Sequence, residues 1–180
     1  MHDPEDGWRA DLPSDFALQL TYDGWEDSPP APKVVLSFDP IYDEKTLEVK
    51  DTPPTEELLA FAGSLVPKVS ELLEKAVQAL FDDFQGAGRD SGMWWHGDTT
   101  EIEEMADLPS GELASIDKLK TYIGLPVLTI FLEDDGFNKP CAQFTFDSLI
   151  DEEHGLGVLT DGNDVIGIGY AGDPSAFQES

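Results

Sequence analysis

An amphipathic helix between residues 69 and 84 constrains the fold more than any other feature of this sequence. Its apolar positions are spaced three and four apart and include adjacent pairs, a pattern typical of an α-helix with one broad apolar face. These positions are Val69, Leu72, Leu73, Ala76, Val77, Leu80, Phe81 and Phe84. A face this broad needs a sheet to cover it, so the helix predicts strands elsewhere in the chain.

The start of this helix is predicted further upstream, near residue 56. Residues 53–57 place prolines in a first helical turn and glutamates at the positive end of the helix dipole. A kink is expected over residues 63–67, within one long helix over residues 56–85. A second, short helix is predicted over residues 115–122, with a serine as its cap.

Alternating apolar and polar residues predict about six strands, and the clearest alternation lies between residues 142 and 172. In chain order the predicted strands are residues 16–22, 33–38, 126–132, 142–147, 155–159 and 165–170. A hairpin turn is predicted over residues 161–164, between the last two strands, because glycine and asparagine tolerate a positive φ. Together with the long helix they predict an α+β fold, in which an antiparallel-rich sheet carries the helix on one face. The acidic residues 1–15 are expected to form a flexible arm ahead of a single domain over residues 16–180.

The charge of the chain limits its partners. It contains 38 acidic and 10 basic residues, for a net charge of −28. Nucleic acid is excluded as a direct ligand because its phosphates would be repelled, whereas a basic protein would be attracted. The alternative is that the acidic residues only keep the protein soluble.

Neither a membrane span nor a signal peptide is predicted. The apolar runs are too short for a span, and the acidic N-terminus has no apolar core of a signal sequence. Cys141 is the only cysteine, so the chain has no internal disulfide. We therefore expect a cytoplasmic protein.

Two strings resemble known ligand sites but lack the context those sites need. Residues 167–172 match G-x-G-x-x-G, yet too few residues follow for the helix of a dinucleotide site. Asp161 could open a calcium loop, but Val165 occupies the place of the third ligand. No cofactor and no metal are expected.

Four segments together resemble a known family. They are Y-D-G-W at 22–25, A-L-F-D-D-F at 79–84, D-K-L-K at 117–120 and D-E-E-H-G-L-G-V at 151–158. The chain resembles a family of uncharacterised bacterial α+β domains over residues 16–177. The resemblance implies a cytoplasmic protein, in some cases encoded near toxin–immunity systems, and it carries over no catalytic residue. Relatives tend to show Trp-Asp where this chain has Ile150 and Asp151, and the loop around Trp94 looks like an insertion.

Residues 86–110 are predicted to be irregular, and a loop of this length in a compact domain is often functional or mobile. Within it, Trp94, Trp95, His96 and Asp98 are the first candidate site, because exposed tryptophans often anchor protein interfaces. The alternative is that both tryptophans fold back over the helix and only pack there. Both possibilities stay open at this point.

The second candidate is the turn that contains Glu153, His154, Gly155 and Gly157. Glu153 and His154 could form an acid/base pair or half of a metal site. The favoured alternative is that His154 only positions the turn at Gly155, because no second histidine or cysteine has ligand spacing.

These features predict a protein-binding module, whose most specific form is an immunity-type protein that masks a basic toxin. The first alternative is a small-molecule or metal-dependent enzyme that uses Glu153 and His154, which would require a pocket joining them to His96. The second alternative is a structural or oligomeric module.

Overall fold

The computed structural model describes residues 2–3, 7–12, 34–38, 44–48, 53–124, 126–132 and 139–177. Its strands form one mixed sheet in which each strand pairs with the next along the chain. They are β1 (His2–Asp3), β2 (Gly7–Leu12), β3 (Val34–Phe38), β4 (Val127–Leu132), β5 (Pro140–Phe146), β6 (Leu156–Thr160), β7 (Val165–Tyr170) and β8 (Asp173–Ala176). The pair β3–β4 is parallel, and the other described pairs are antiparallel.

The α+β class and the mostly antiparallel sheet are confirmed, but the predicted number of about six strands is wrong. Five consecutive strands, β3 to β7, supply the described core residues of the sheet, and β1, β2 and β8 extend it at its edges. The strand predicted over residues 16–22 lies outside the described residues. Within residues 1–15, where an arm is expected, the structure describes β2, which lies antiparallel to β3. Trp8, Ala10 and Leu12 alternate with less apolar residues there, which is a strand pattern.

The long helical segment and its kink are present. Helix α1 (Glu56–Leu65) begins after Thr55, whose side chain accepts a hydrogen bond from the Leu58 N–H. A 3-10 turn over Val66–Lys68 contains Pro67, which lacks the N–H needed to continue an α-helix, and α2 (Val69–Phe84) follows directly.

The apolar face of α2 lies on the sheet as its pattern predicts. Helix α1 packs against β4 and β5, and α2 packs against β6 and β7. The predicted apolar positions of α2 are buried, except for the half-buried Phe81. No helix in the described part of the chain combines the length and apolarity that a membrane crossing requires.

One helix is missing from the sequence-based prediction. Residues 86–110 were expected to be irregular, but they contain α3 (Thr99–Met105). Asp98 caps this helix by accepting a hydrogen bond from the Glu101 N–H at 3.0 Å. A 3-10 turn (Glu112–Ala114) and α4 (Ile116–Leu119) follow, and α4 is shorter than predicted. The seven residues of α3 carry a single fully apolar buried position, Ile102, which is too few to show a helical period.

The predicted turn over residues 161–164 joins β6 to β7, and two lysines of the helical segment hold it. The Asp161 carboxylate accepts hydrogen bonds from the N–H groups of Asn163 and Asp164, and these bonds fix the turn. Lys68 donates to the Gly162 carbonyl at 2.6 Å, and Lys75 donates to the Asn163 carbonyl at 2.7 Å. The hairpin is therefore tied to α2 by its backbone.

The glycine string over residues 167–172 lies in β7 and in the turn into β8, and no helix begins there. Gly167 pairs with Leu159, and Gly169 pairs with Gly157 of β6. These glycines belong to a strand ladder, so they do not form the strand-to-helix turn that binds a dinucleotide.

Tyr122 gives a stability prediction at high pH. Its hydroxyl donates a hydrogen bond to Glu112. Burial, with this hydrogen bond and the charges of Glu112 and Glu103, raises the pKa of Tyr122 to about 12 from 10.0. The folded state therefore keeps a proton that the unfolded state loses, so this group's stabilisation is complete below pH 10 and falls between pH 10 and 12. In urea titrations Tyr122→Phe should lower the free energy of unfolding by about 1 kcal/mol at pH 8. When the pH is then raised above 10, the free energy of unfolding should fall less in the variant than in the wild type. Equal losses in both proteins would contradict the assignment.

Candidate functional site

A cavity of about 680 Å³ lies between four segments of the chain. One is the Trp94 loop, residues 86–98, which follows α2. The second is α3 with the residues just after it. The third is the 151–154 turn between β5 and β6 with the two residues before it, and the fourth is Tyr170 at the end of β7. We call this cavity the acidic pocket, because five carboxylates line it: Glu101, Asp107, Asp151, Glu152 and Glu153. No lysine or arginine of the described residues is part of its lining.

The rest of the lining is aromatic or apolar. Trp94, His154 and Tyr170 contribute rings, and the apolar contacts come from Met105, Ala106, Leu149 and Ile150. Trp94 and Tyr170 are half-buried, so each ring is partly in the core and partly at the pocket surface. The pocket thus combines negative charge with flat apolar surfaces, which suits a cation that carries apolar groups.

The 151–154 turn is held by its own side chains. Asp151 accepts a hydrogen bond from the His154 N–H at 2.9 Å, and its carboxylate lies 3.0 Å from the His154 Nδ1. The His154 ring stacks on Tyr170, with 4.4 Å between the ring centroids and 26° between the planes. The His154 carbonyl accepts from the Ala171 N–H. His154 therefore positions the turn, and its ring also forms part of the pocket wall.

The glycines of the turn motif have structural roles. Gly155 has a φ of +63°, and an added Cβ would lie 2.8 Å from the Phe146 carbonyl oxygen. Gly157 is buried in β6, where it pairs with Thr145 and Gly169. Glu153 is exposed at the pocket. Of the four predicted residues of this motif, Glu153 and His154 line the pocket.

The Trp94 loop is wound around one buried carboxylate, Asp83 of α2. Asp83 accepts hydrogen bonds from the Trp95 Nε1 at 2.8 Å and from the Ser91 hydroxyl at 2.7 Å, and it contacts the His96 Nδ1. The Asp83 carbonyl accepts from the N–H of Gly97 at 2.9 Å. These bonds satisfy a carboxylate that would otherwise be costly to bury. The available sequence signal was an aspartate on the apolar face of an amphipathic helix.

Trp95 is fully buried, so it does not anchor a partner directly. Its ring makes edge contacts with Phe84, Trp94 and Tyr170, at centroid distances of 5.9, 5.6 and 5.7 Å. The sequence alternative in which the tryptophans pack on the helix is correct for Trp95, because its N–H finds a buried acceptor in Asp83. Trp95 also fixes two rings of the pocket wall, Trp94 and Tyr170.

The four residues predicted in the Trp94 loop therefore have four different positions. Trp94 lines the acidic pocket, whereas Trp95 is in the core behind it. His96 is directed to Asp83 and is not part of the pocket lining, and Asp98 caps α3. The structure joins Trp94 to Glu153 and His154 but does not bring His96 to them. Within the described ranges, no three His, Cys, Asp or Glu residues are grouped so that they could hold a metal ion.

Comparison with known proteins gives a family without an assigned activity. The model of a domain of unknown function, DUF6985, matches residues 18–175 of the chain. No curated protein and no solved structure matches it. The match extends across both sides of the acidic pocket, from the Trp94 loop to the 151–154 turn.

Proposed function

This chain belongs to the DUF6985 family, whose domain has no known function, and from the geometry of its pocket we propose that it is a protein-binding module. The acidic pocket holds a basic segment of a partner protein. The observation that carries this proposal is the pocket itself, in which five carboxylates and three rings converge without a lysine or arginine from the described residues.

The charge of the whole chain supports the same partner. A net charge of −28 gives a negative field that speeds the approach of a basic protein and weakens as salt is added. The pocket then supplies what a diffuse charge lacks, a defined place where an anchor residue is held between rings and carboxylates. Masking of a basic toxin by an immunity-type protein, in the bacterial cytoplasm, is the most specific form of this proposal. The resemblance described above supports it.

We expect a pull-down with the tagged chain from its host's lysate to recover a basic protein at low salt and to lose it at high salt. Glu152→Gln with Glu153→Gln removes two charges from the pocket, and Trp94→Ala removes one ring. Each should lower retention about tenfold or more, because truncation of an interface anchor typically costs about 2 kcal/mol.

The matched control for the charge change is Glu57→Gln with Glu74→Gln. Both glutamates are exposed on the helical segment outside the pocket lining, and the change in net charge is the same. This control should retain the partner like the wild type. Equal retention by the pocket variants and the wild type would refute the proposal, and equal loss in both charge variants would show attraction without a site.

A further inference from the structure

We propose that the residue bound in the acidic pocket is an arginine, held by its guanidinium group. This inference rests on the proposed function and specifies its ligand. It combines three observations: the arrangement of the carboxylates, the orientation of the rings and the rigidity of the wall behind them.

The carboxylates that line the pocket come from two segments of the chain. Glu101 and Asp107 come from α3 and the residues just after it, and Glu152 and Glu153 come from the 151–154 turn. Within the described part of the chain, these four carboxylates have no hydrogen bond or ion pair. A guanidinium presents five N–H donors in a planar fork and can reach acceptors on two sides, whereas an ammonium is a compact and strongly hydrated charge. Acceptors contributed by two separate segments therefore favour arginine.

The rings provide a flat surface for the same group. His154 lies nearly parallel to Tyr170, so the two rings form a stack at the pocket. Trp94 adds a third ring on the side of the Trp94 loop. A planar guanidinium stacks on such faces more favourably than an ammonium does. Met105 and Leu149 offer apolar contact for the three methylene groups of arginine.

The wall behind the rings is rigid, which favours a single bound geometry. The Trp95 indole N–H is held by Asp83, and the Trp95 ring contacts both Trp94 and Tyr170. Neither ring has to be ordered when the ligand binds, so little conformational entropy is lost in the pocket. The Tyr170 ring in turn supports His154.

The test uses three short acetylated and amidated peptides that differ at one central residue: arginine, lysine or citrulline. Citrulline keeps the size and planarity of arginine but has no charge. Titration into ¹⁵N-labelled protein, followed by NMR, should show the arginine peptide shifting the Trp94 indole N–H and the signals of the 151–154 turn. Its Kd should be at least tenfold lower than that of the lysine peptide, and citrulline should give no saturable shift.

Trp94→Ala should reduce the preference for arginine over lysine, while Glu74→Gln, outside the pocket, should leave it unchanged. Melting curves of both variants are to be recorded first, to establish that each is folded at the titration temperature. Equal Kd values for arginine and lysine, shifts confined to other surfaces, or no binding of any peptide would overturn the assignment of arginine. The proposed function is judged separately, by whether the Glu152→Gln/Glu153→Gln variant still retains the partner from lysate.

Discussion

Replacement of Trp95 by alanine is expected to lower the free energy of unfolding by about 3–5 kcal/mol. The side chain is fully buried and packs against Phe84, Trp94 and Tyr170, so its removal leaves a large cavity between α2 and β7. It also takes away the indole N–H that bonds to Asp83, which leaves a buried carboxylate with fewer donors. Urea denaturation at pH 7 measures the change.

Trp94→Ala is the matched control for this prediction, because the neighbouring ring has the same size but is half-buried at the pocket surface. Its cost should be less than half that of Trp95→Ala. Trp95→Phe separates packing from hydrogen bonding, since it keeps much of the ring but removes the donor to Asp83, and it should cost about 1–3 kcal/mol. Similar losses for Trp94→Ala and Trp95→Ala would contradict the buried position of Trp95.

The second large effect is expected from Gly155→Ala, at roughly 3 kcal/mol. Gly155 has a φ of +63°, which costs a residue with a Cβ about 1–2 kcal/mol. The new Cβ would also lie 2.8 Å from the Cβ of Ala171 and 2.8 Å from the Phe146 carbonyl oxygen. Neither neighbour is the end of a flexible side chain, so the backbone has to shift, which adds about 1–3 kcal/mol. Thermal and urea unfolding of the variant provide the measurement.

Gly172 offers the control for backbone strain alone. Its φ is +82°, and nothing lies within 4 Å of the position that a Cβ would take. Gly172→Ala should therefore cost about 1 kcal/mol, the strain without the clash. If the two alanine variants were equally stable, the close contacts at Gly155 would have no energetic weight.

The parts of the fold that depend on a regular period, or on the backbone preference of one or two residues, could be predicted from the sequence. The apolar stripe of residues 69–84 determined the position of α2 and the face that it buries. The kink at Pro67 was predictable because it depends on a missing N–H. The turn at residues 161–164 was predictable because Gly162 and its polar neighbours favour the φ values that it needs.

The acidic pocket could not be predicted, because it depends on contacts between segments that are distant in sequence. Trp94 and Trp95 are adjacent and chemically identical, and Trp95 is the one that is buried, where Asp83 accepts its N–H and Phe84 and Tyr170 contact its ring. Helix α3 was missed because its stability depends on Asp98 and on Glu103, whose carboxylate bonds to the Gly111 and Leu113 N–H groups. None of these interactions has a repeating pattern.

The parallel pairing of β3 with β4 has a consequence for how binding and folding are linked. Every antiparallel pair from β4 to β8 closes a short connection, whereas β3 meets β4 only after a crossover of residues 39–126. Closure of that crossover costs more chain entropy than any other pairing between the described strands.

The acidic pocket lies where the crossover meets the segments that follow β4. Trp94 and Glu101 belong to the crossover, whereas His154 lies in the turn between β5 and β6 and Tyr170 lies in β7. A ligand that touches both the crossover and the later segments binds only when the crossover is packed on the sheet. Its binding free energy therefore stabilises this packing. A bound partner would thus stabilise the packing of the longest connection between the described strands.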